Sequence, residues 1–309
     1  MPPAEARPDR QRTPVLAWLA CAACVVVFVG LLDEPNRDSW DGLEKWGYFS
    51  IGKILDGSFW GLVTSTFVHL ELWHLAFNLY WIWILGSRLE RAIGSPRWLV
   101  FSLIASIVSS GIELLFTEST GIGASGVVYA WFSFMWMARG RYRGFSEVLD
   151  PRTIRLVLVS LFLCVGLTNF GIVPIANYAH FAGLGFGAVA GAWVSGGRWR
   201  RPAGLAMAVL LALSLLPLVW APWSPAWTAT RGSKAHRKGD LQTAIKWYER
   251  SLRVGADEIW CWSNLAIAYH SGGDRAHRDE AIRRLRDLDE ERAAELERKL
   301  SGSQLWDSK

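Results

Sequence analysis

A serine flanked by glycines precedes a long apolar run in this chain. In the stretch STGIGASGVVYAW, Ser125 lies between Gly123 and Gly126, and apolar residues then continue to Met137. A hydroxyl in a lipid setting needs a hydrogen-bond partner or a chemical role, because hydrocarbon satisfies no polar group. Serine becomes a nucleophile when a neighbouring imidazole accepts its proton. The chemistry to expect of Ser125 therefore depends on whether a histidine reaches it.

His180 is the candidate base for this serine. His180, Gly183 and Gly187 follow the spacing i, i+3 and i+7, so the imidazole shares one helix face with two glycines. Glycines four residues apart let a partner helix approach closely. If that partner is the helix that begins at Ser125, His180 reaches the serine hydroxyl and acts as its general base.

Other groups are candidates for stabilising the negative oxygen of a tetrahedral intermediate. His74 and Asn78 are four residues apart, share a helix face, and carry side chains that donate hydrogen bonds. The backbone N–H of Ser125 is free at the start of a short helix, where the helix dipole also favours negative charge. Tyr129, one turn after Ser125, is expected to pack against the His180 ring and fix its orientation.

Membrane-spanning helices must position these residues. Apolar residues make up 51% of the chain. Stretches of about 18 or more residues almost free of charge recur along it, which is typical of helices that cross a bilayer. The sequence predicts seven crossings, at residues 15–32, 70–89, 98–116, 125–137, 154–170, 178–194 and 203–223.

The arginines predict how the chain is oriented. The formal net charge is +5, but the basic residues cluster beside the predicted spans, which favours a membrane topology over a nucleic-acid partner. These arginines are Arg7, Arg10, Arg12, Arg88, Arg91, Arg97, Arg139, Arg141, Arg143, Arg152, Arg155, Arg198, Arg200 and Arg201. The positive-inside rule then predicts a cytoplasmic N-terminus, an outward-facing Ser125 and an extracytoplasmic C-terminal tail.

The chain is predicted to contain four regions. Residues 1–14 form a cytoplasmic tail, and residues 15–196 form a six-helix core with an outer loop at residues 33–68. Residues 197–223 comprise a basic turn and the seventh crossing. Charged residues become frequent from 224 to 309, which predicts a soluble helical tail. The predicted fold class is an all-α membrane protein with a soluble α-helical C-terminal region.

The tail contains an internal repeat. Gly239 and Gly273 lie 34 residues apart, and this segment resembles tetratricopeptide repeats, which have that period. Ala244 follows the first glycine by five residues, whereas the alanine expected near residue 278 is found at Ala281, so we expect a short insertion there. An ordinary helical hairpin is the alternative. A repeat of this kind would bind a protein partner.

Three motifs occur in order along the predicted spans. They are HLELWHLAFN on the second span, GASG at the start of the fourth and AHFAGLGFG on the sixth. Together they resemble the rhomboid intramembrane serine proteases, over roughly residues 60–192. The resemblance implies a six-helix catalytic core, a Ser–His dyad without an acidic third member, and no metal or nucleotide cofactor. Ser125 would be the nucleophile and His180 the general base.

The same resemblance implies supporting roles and a substrate class. His74, Asn78 and the Ser125 amide would form the oxyanion site. His69 resembles an additional loop histidine of the family, for which a structural role is expected. The substrates would be transmembrane proteins that enter from the lipid bilayer and are cut within or beside their membrane segments.

The sequence departs from many of these relatives at two positions. It has Trp60-Gly61 where they carry Trp-Arg, and Glu90-Arg91-Ala92 where they carry Glu-x-Arg. In the family both arginines are regarded as structural. The departures therefore concern the anchoring of the first loop more than catalysis.

Two other functions fit parts of the sequence. One is a zinc site formed by His69, His74 and His180, since three imidazoles can hold zinc, but a His-Glu-x-x-His motif is absent from the sequence. The five-residue spacing is also expected to point His69 away from His74. The third hypothesis is a catalytically inactive membrane scaffold or chaperone that binds partners through its tail. The presence of both Ser125 and His180 favours the protease.

Overall fold

The computed structural model describes residues 13–37, 39–142 and 144–301. Every regular element within these ranges is a helix, which confirms the prediction of an all-helical fold. The chain separates into two compact units, Met1–Val219 and Trp220–Lys309. Most of the predicted N-terminal tail lies outside the described residues, and so do four of the arginines that carried the orientation argument: Arg7, Arg10, Arg12 and Arg143.

The first unit contains twelve α-helices among its described residues. They are α1 (Val15–Leu32), α2 (Trp40–Lys45), α3 (Ile51–Leu55), α4 (Gly61–Thr64), α5 (Leu72–Trp81), α6 (Ser87–Ile93), α7 (Ser95–Thr117), α8 (Ser125–Ala138), α9 (Gly144–Val148), α10 (Pro151–Asn169), α11 (Asn177–Ser195) and α12 (Arg200–Val219). A π-helical segment, Ile82–Gly86, joins α5 to α6.

Each predicted crossing coincides with one of these helices or, for the second, with the α5–α6 pair. Four helical segments are long and apolar enough to span a bilayer. They are Val15–Leu32, Ser95–Thr117, Pro151–Asn169 and Gly197–Val219. The last of these segments ends at Val219, four residues before Trp223, which is the predicted end of the seventh crossing. Pro222 explains the early end, because proline disfavours helical geometry in the residue before it and cannot continue the helix.

The helix α8 lies in the core of the first unit. Its residues from Gly126 to Met135 are all buried. With 14 residues and a rise of about 1.5 Å per residue, α8 is about 21 Å long, which is shorter than the hydrocarbon layer of a bilayer. A helix buried on every side is apolar all round, as this one is.

Glycines allow α11 to pack directly on α8. A Cβ atom built on Gly183 would lie 2.0 Å from the carbonyl oxygen of Gly126, and one on Gly187 would lie 2.0 Å from that of Ala130. Real Cβ atoms do not approach so closely, so both positions require glycine at this spacing. The glycine spacing predicts that α11 approaches the helix that begins at Ser125, and α8 is the helix with which α11 has its most extensive contact.

The second unit consists of helices with a small apolar core. Its described helices are α13 (Pro225–Arg237), α14 (Leu241–Arg253), α15 (Glu258–Ser271), α16 (Arg275–Leu288) and α17 (Glu290–Ser301). Ala244, Tyr248, Leu265 and Leu285 are among the side chains that fill the core. Each of these helices therefore buries one face against the same core.

Two turns of the second unit repeat in detail. Gly239 and Gly273 both have positive φ angles, of +77° and +75°, and each is followed by an aspartate that caps the next helix. Asp240 accepts a hydrogen bond from the backbone N–H of Thr243, and Asp274 accepts one from that of His277. Helices α14 and α16 thus start 34 residues apart.

The short insertion expected in the second repeat is not present. Helix α16 begins two residues after Gly273, just as α14 begins two residues after Gly239. Arg278 therefore occupies the position of Ala244, and Ala281 lies one turn further along the helix. The prediction was wrong because it aligned the two repeats by one alanine. The glycine turn, and not that alanine, determines where the helix starts.

Candidate active site

Ser125 and His180 are hydrogen-bonded to each other. Their Oγ and Nε2 atoms are 2.7 Å apart. Ser125 is the first residue of α8, and His180 lies in the first turn of α11. His180 is only 4% exposed, whereas Ser125 is half-buried. The close packing of α8 on α11 therefore sets the serine hydroxyl against an imidazole that is largely shielded from bulk water, an arrangement in which the imidazole can accept the hydroxyl proton.

Tyr129 lies beside the His180 ring. The two ring centroids are 4.9 Å apart, with the planes inclined at 48°. The Tyr129 hydroxyl in turn is hydrogen-bonded to Ser160 of α10, at 3.2 Å. Within the described residues, Nδ1 of His180 has no hydrogen-bond partner. The arrangement is thus a two-residue pair in which ring packing, rather than a carboxylate, limits the rotation of the imidazole.

His74 packs against the backbone just ahead of the serine. Gly123 has a φ of +93°, and a Cβ on it would lie 2.6 Å from Nε2 of His74. The Gly123 N–H donates to the carbonyl oxygen of Ser65 at 3.0 Å. Glycine is required at position 123 for two reasons. Its positive φ is unfavourable for other residues, and the His74 imidazole occupies the space that a side chain would need.

Asn78 is buried on α5, one turn after His74. Its Nδ2 donates to the backbone carbonyl oxygen of His74 at 2.9 Å, and the side chain is 1% exposed. This hydrogen bond lies within α5 and does not involve Ser125. The role of Asn78 at an oxyanion site accordingly remains a prediction.

The expectation that His69 points away from His74 was wrong. Their ring centroids are 4.9 Å apart, because His69 lies in the turn before α5 and does not follow helical geometry. Nδ1 of His69 lies 3.2 Å from the carbonyl oxygen of Phe67. In the described part of the chain, no three histidine, cysteine or acidic side chains are grouped so as to hold a metal ion. A Cβ on Gly123 would lie 2.6 Å from Nε2 of His74 and 3.3 Å from Nε2 of His69, so both rings pack around this glycine.

A small cavity adjoins the serine. It has room for about one water molecule. Thr66, Ser109, Ser110 and Thr120 contribute hydroxyl groups to its wall together with Ser125, and the rest of the wall is apolar. A water molecule in this cavity would need several of these hydroxyl groups as hydrogen-bond partners.

Part of the chain matches a known protein family. Residues 56–197 match the family model of the rhomboid domain. This match supports the resemblance drawn from the three motifs, and it includes every candidate site residue from His69 to Gly187. With the apolar helices, the rhomboid domain identifies the chain as a membrane protein. The helical tail lies outside the matched range.

A buried acidic residue that the sequence patterns did not single out lies near Ser125 and His180. Glu113 of α7 is 4% exposed, and its Oε2 accepts a hydrogen bond of 2.8 Å from the backbone N–H of Ala179, next to His180. The available signal was an acidic residue within the predicted span 98–116. Ionisable groups in such spans are rare, so an acidic residue there is a candidate functional residue in the same way as a histidine.

Proposed function

We propose that this protein is an intramembrane serine endopeptidase. The observation that carries the proposal is the 2.7 Å hydrogen bond between Oγ of Ser125 and Nε2 of His180. The rhomboid domain match supports it, because that family is typically made up of intramembrane serine proteases. The substrates are transmembrane proteins, cut within or next to their membrane segments.

The reaction proceeds through an acyl-enzyme. His180 accepts the Ser125 proton while Oγ attacks the carbonyl carbon of the scissile peptide bond. The tetrahedral intermediate collapses when the C–N bond breaks and the imidazolium gives its proton to the leaving amine. His180 then takes a proton from water, whose oxygen attacks the ester, and returns a proton to Oγ as the acid product leaves. The small hydroxyl-lined cavity supports access of that water.

The negative oxygen of each intermediate needs donors that are already in place. The Ser125 N–H is one, because Ser125 begins α8 and its amide has no partner within the helix. His74 lies against Gly123, two residues before the nucleophile. Asn78 follows His74 on the same helix face. We propose that these three groups form the oxyanion site.

A fluorophosphonate probe and a model transmembrane substrate test the proposal together. We expect Ser125→Ala and His180→Ala each to abolish cleavage and probe labelling while leaving the protein inserted and folded. Since the two residues act as a unit, the double variant should be scarcely worse than either single one. Ser133→Ala is the matched control, because this serine lies on the same helix but bonds to the carbonyl oxygen of Tyr129.

The possible outcomes separate the protease from the other hypotheses. Substantial cleavage by purified Ser125→Ala protein contradicts the assignment of the nucleophile. A wild-type protein that neither cleaves nor reacts with the probe favours an inactive rhomboid-like scaffold. Loss of activity with chelators that zinc restores favours a histidine metal site.

We also propose a topology and a role for the tail. The N-terminus lies in the cytoplasm, the dyad opens to the outer side, and α12 crosses the membrane so that the tail is extracytoplasmic. The arginines after α11, namely Arg198, Arg200 and Arg201, support this orientation. The 34-residue offset between α14 and α16 supports a tetratricopeptide-like arrangement, whose surface would bind a protein partner or part of a substrate.

A further inference from the structure

Helix α11 lacks a local cap at its start. The first N–H groups of a helix have no partner within it and need an acceptor from elsewhere. The residue before α11 is Ala176, whose side chain cannot accept a hydrogen bond. Other helices are capped by the side chain of the residue immediately before them, among them those that follow Ser39, Asp150, Ser224, Asp240, Asp257, Asp274 and Asp289.

A carboxylate from another helix fills this role for α11. Oε2 of Glu113, on α7, accepts a hydrogen bond from the backbone N–H of Ala179 at 2.8 Å. Oε1 accepts from the Thr117 hydroxyl at 3.0 Å. The Glu113 side chain is therefore held from both sides, and it lies at the start of α11, where the helix dipole favours negative charge.

Ring packing adds a second connection at the same place. Phe116 of α7 and Tyr178 of α11 stack with centroids 4.7 Å apart. The residues that contact α7 here, Tyr178 and Ala179, directly precede His180 in the sequence. Any shift or rotation of the first turn of α11 would therefore move the imidazole relative to Ser125.

We propose that Glu113 is a positioning residue for His180. It fixes the position of the first turn of α11 along the helix axis and its rotation about that axis. Nε2 of the imidazole therefore stays within hydrogen-bond distance of Ser125. The inference rests on the proposed function, in which this pair carries out catalysis. Glu113 itself does not touch the reacting atoms, and its effect passes through the backbone of Ala179.

The molecule offers a matched control at another helix. Helix α1 also lacks a local cap, and the buried carboxylate of Glu90 accepts the backbone N–H groups of Leu16 and Ala17 at 3.1 and 2.8 Å. Glu90 is 1% exposed. Removing either carboxylate should lower the thermal stability, but only Glu113 lies next to the dyad.

The test compares Glu113→Ala, Glu113→Gln and Glu90→Ala in the full-length protein. Active sites are counted by fluorophosphonate labelling, and kcat and KM are measured on a model transmembrane substrate. We expect Glu113→Ala to lose about 10²-fold in kcat per labelled site with KM nearly unchanged, as for a displaced catalytic group. Glu113→Gln should lose less, about 10-fold, because its amide oxygen still accepts a hydrogen bond but lacks the charge.

The control defines what a purely structural role would look like. Glu90→Ala should lower the midpoint of thermal unfolding and the number of labelled sites, while kcat per labelled site stays within about twofold of wild type. If Glu113→Ala behaves in the same way as Glu90→Ala, the positioning role is overturned.

A measurement that needs no catalysis separates this inference from the proposed function. In protein labelled with ¹⁵N at histidine, Glu113→Ala should shift the ring resonances of His180, whereas Glu90→Ala should leave them unchanged. Unchanged His180 resonances in Glu113→Ala overturn the inference whether or not the wild type cleaves. A wild type that is unreactive with the probe, but whose His180 resonances move in Glu113→Ala, contradicts the protease and supports the positioning role.

Discussion

The hydrogen bond between Ser125 and His180 lies where little water competes for it. His180 is 4% exposed, and the Tyr129 ring covers one side of the imidazole. In such an environment a hydrogen bond is electrostatically stronger than in water, but its geometry must be maintained by the surrounding packing. Gly123 contributes to that packing, since His74 occupies the space that a side chain there would fill.

Substitution of Asn78 tests the oxyanion site at the level of one residue. We expect Asn78→Ala to lower kcat by about 10-fold to 10³-fold, the range for the loss of one oxyanion donor among several. Ser125→Ala, in contrast, should abolish cleavage. The measurement is cleavage of a model transmembrane substrate at saturating concentration, alongside thermal unfolding.

A control of the same chemical type is available outside the site. Nδ2 of Asn264, in the tail, donates to the carbonyl oxygen of Trp260 four residues earlier, as Asn78 does to that of His74. Asn264→Ala should leave kcat unchanged. A kcat of wild-type size in Asn78→Ala would remove Asn78 from the oxyanion site.

At the level of helices, the distance between α8 and α11 determines whether the dyad forms. Both helices are parts of the same buried core, which also contains Phe132 and Phe186. Without side chains at Gly183 and Gly187, the two backbones come into direct contact. In a membrane such small residues let dispersion forces hold helices together, since no hydrophobic force acts between them.

Two glycines on α11 provide a matched test of this contact. A Cβ at Gly183 would lie 2.0 Å from the carbonyl oxygen of Gly126, whereas one at Gly185 meets no atom within 4 Å. We expect Gly183→Ala to push α11 away from α8, to lower the thermal stability and to reduce kcat by about 10²-fold or more. Gly185→Ala should be neutral or slightly stabilising, because alanine favours helices. Equal activity of the two variants would show that the contact does not control the dyad.

At the level of the whole molecule, the chain joins an apolar helical unit to a charged one. The first unit contains the four helical segments that are long and apolar enough to cross a bilayer. The second has its own core of Ala244, Tyr248, Leu265 and neighbouring residues. Separate cores of this kind fit the proposal that the first unit carries out the chemistry and the second selects partners.

Removal of the tail tests this division of labour. We expect a chain that stops before Ser224 to hydrolyse a short model substrate at nearly the wild-type rate, because every proposed site residue precedes that point. Cleavage of the natural substrate, found by comparing the membrane proteomes of cells with wild type and with Ser125→Ala, should fall. An unchanged rate on that natural substrate would contradict a role of the tail in substrate choice.

Reporter fusions test where the tail lies. Tags at Gly239 and Lys309 should be accessible from the outer side of the membrane, since α12 begins beside basic residues and crosses once more. If both tags were accessible only from the cytoplasm, the seventh crossing and an extracytoplasmic role of the tail would be wrong together.

The sequence by itself determined where the apolar helices are, and it predicted that Ser125 and His180 carry the chemistry. Apolar runs located these helices, since burial in lipid or protein demands apolar side chains over a whole helix. Helical spacing placed His180 on one face with Gly183 and Gly187, because three and four residues complete one turn. Local patterns of this kind depend only on nearby residues, and the sequence displays them directly.

Only the tertiary structure decided which groups from distant segments meet. The hydrogen bond from the Ala179 N–H to Glu113 joins residues 66 positions apart. The periodicity of a sequence does not specify how far two packed helices are shifted along each other. His69 reaches His74 because a turn, not a helix, connects them. Such contacts depend on how all the helices pack at once, since each rotation and shift must satisfy every buried polar group and fill every gap.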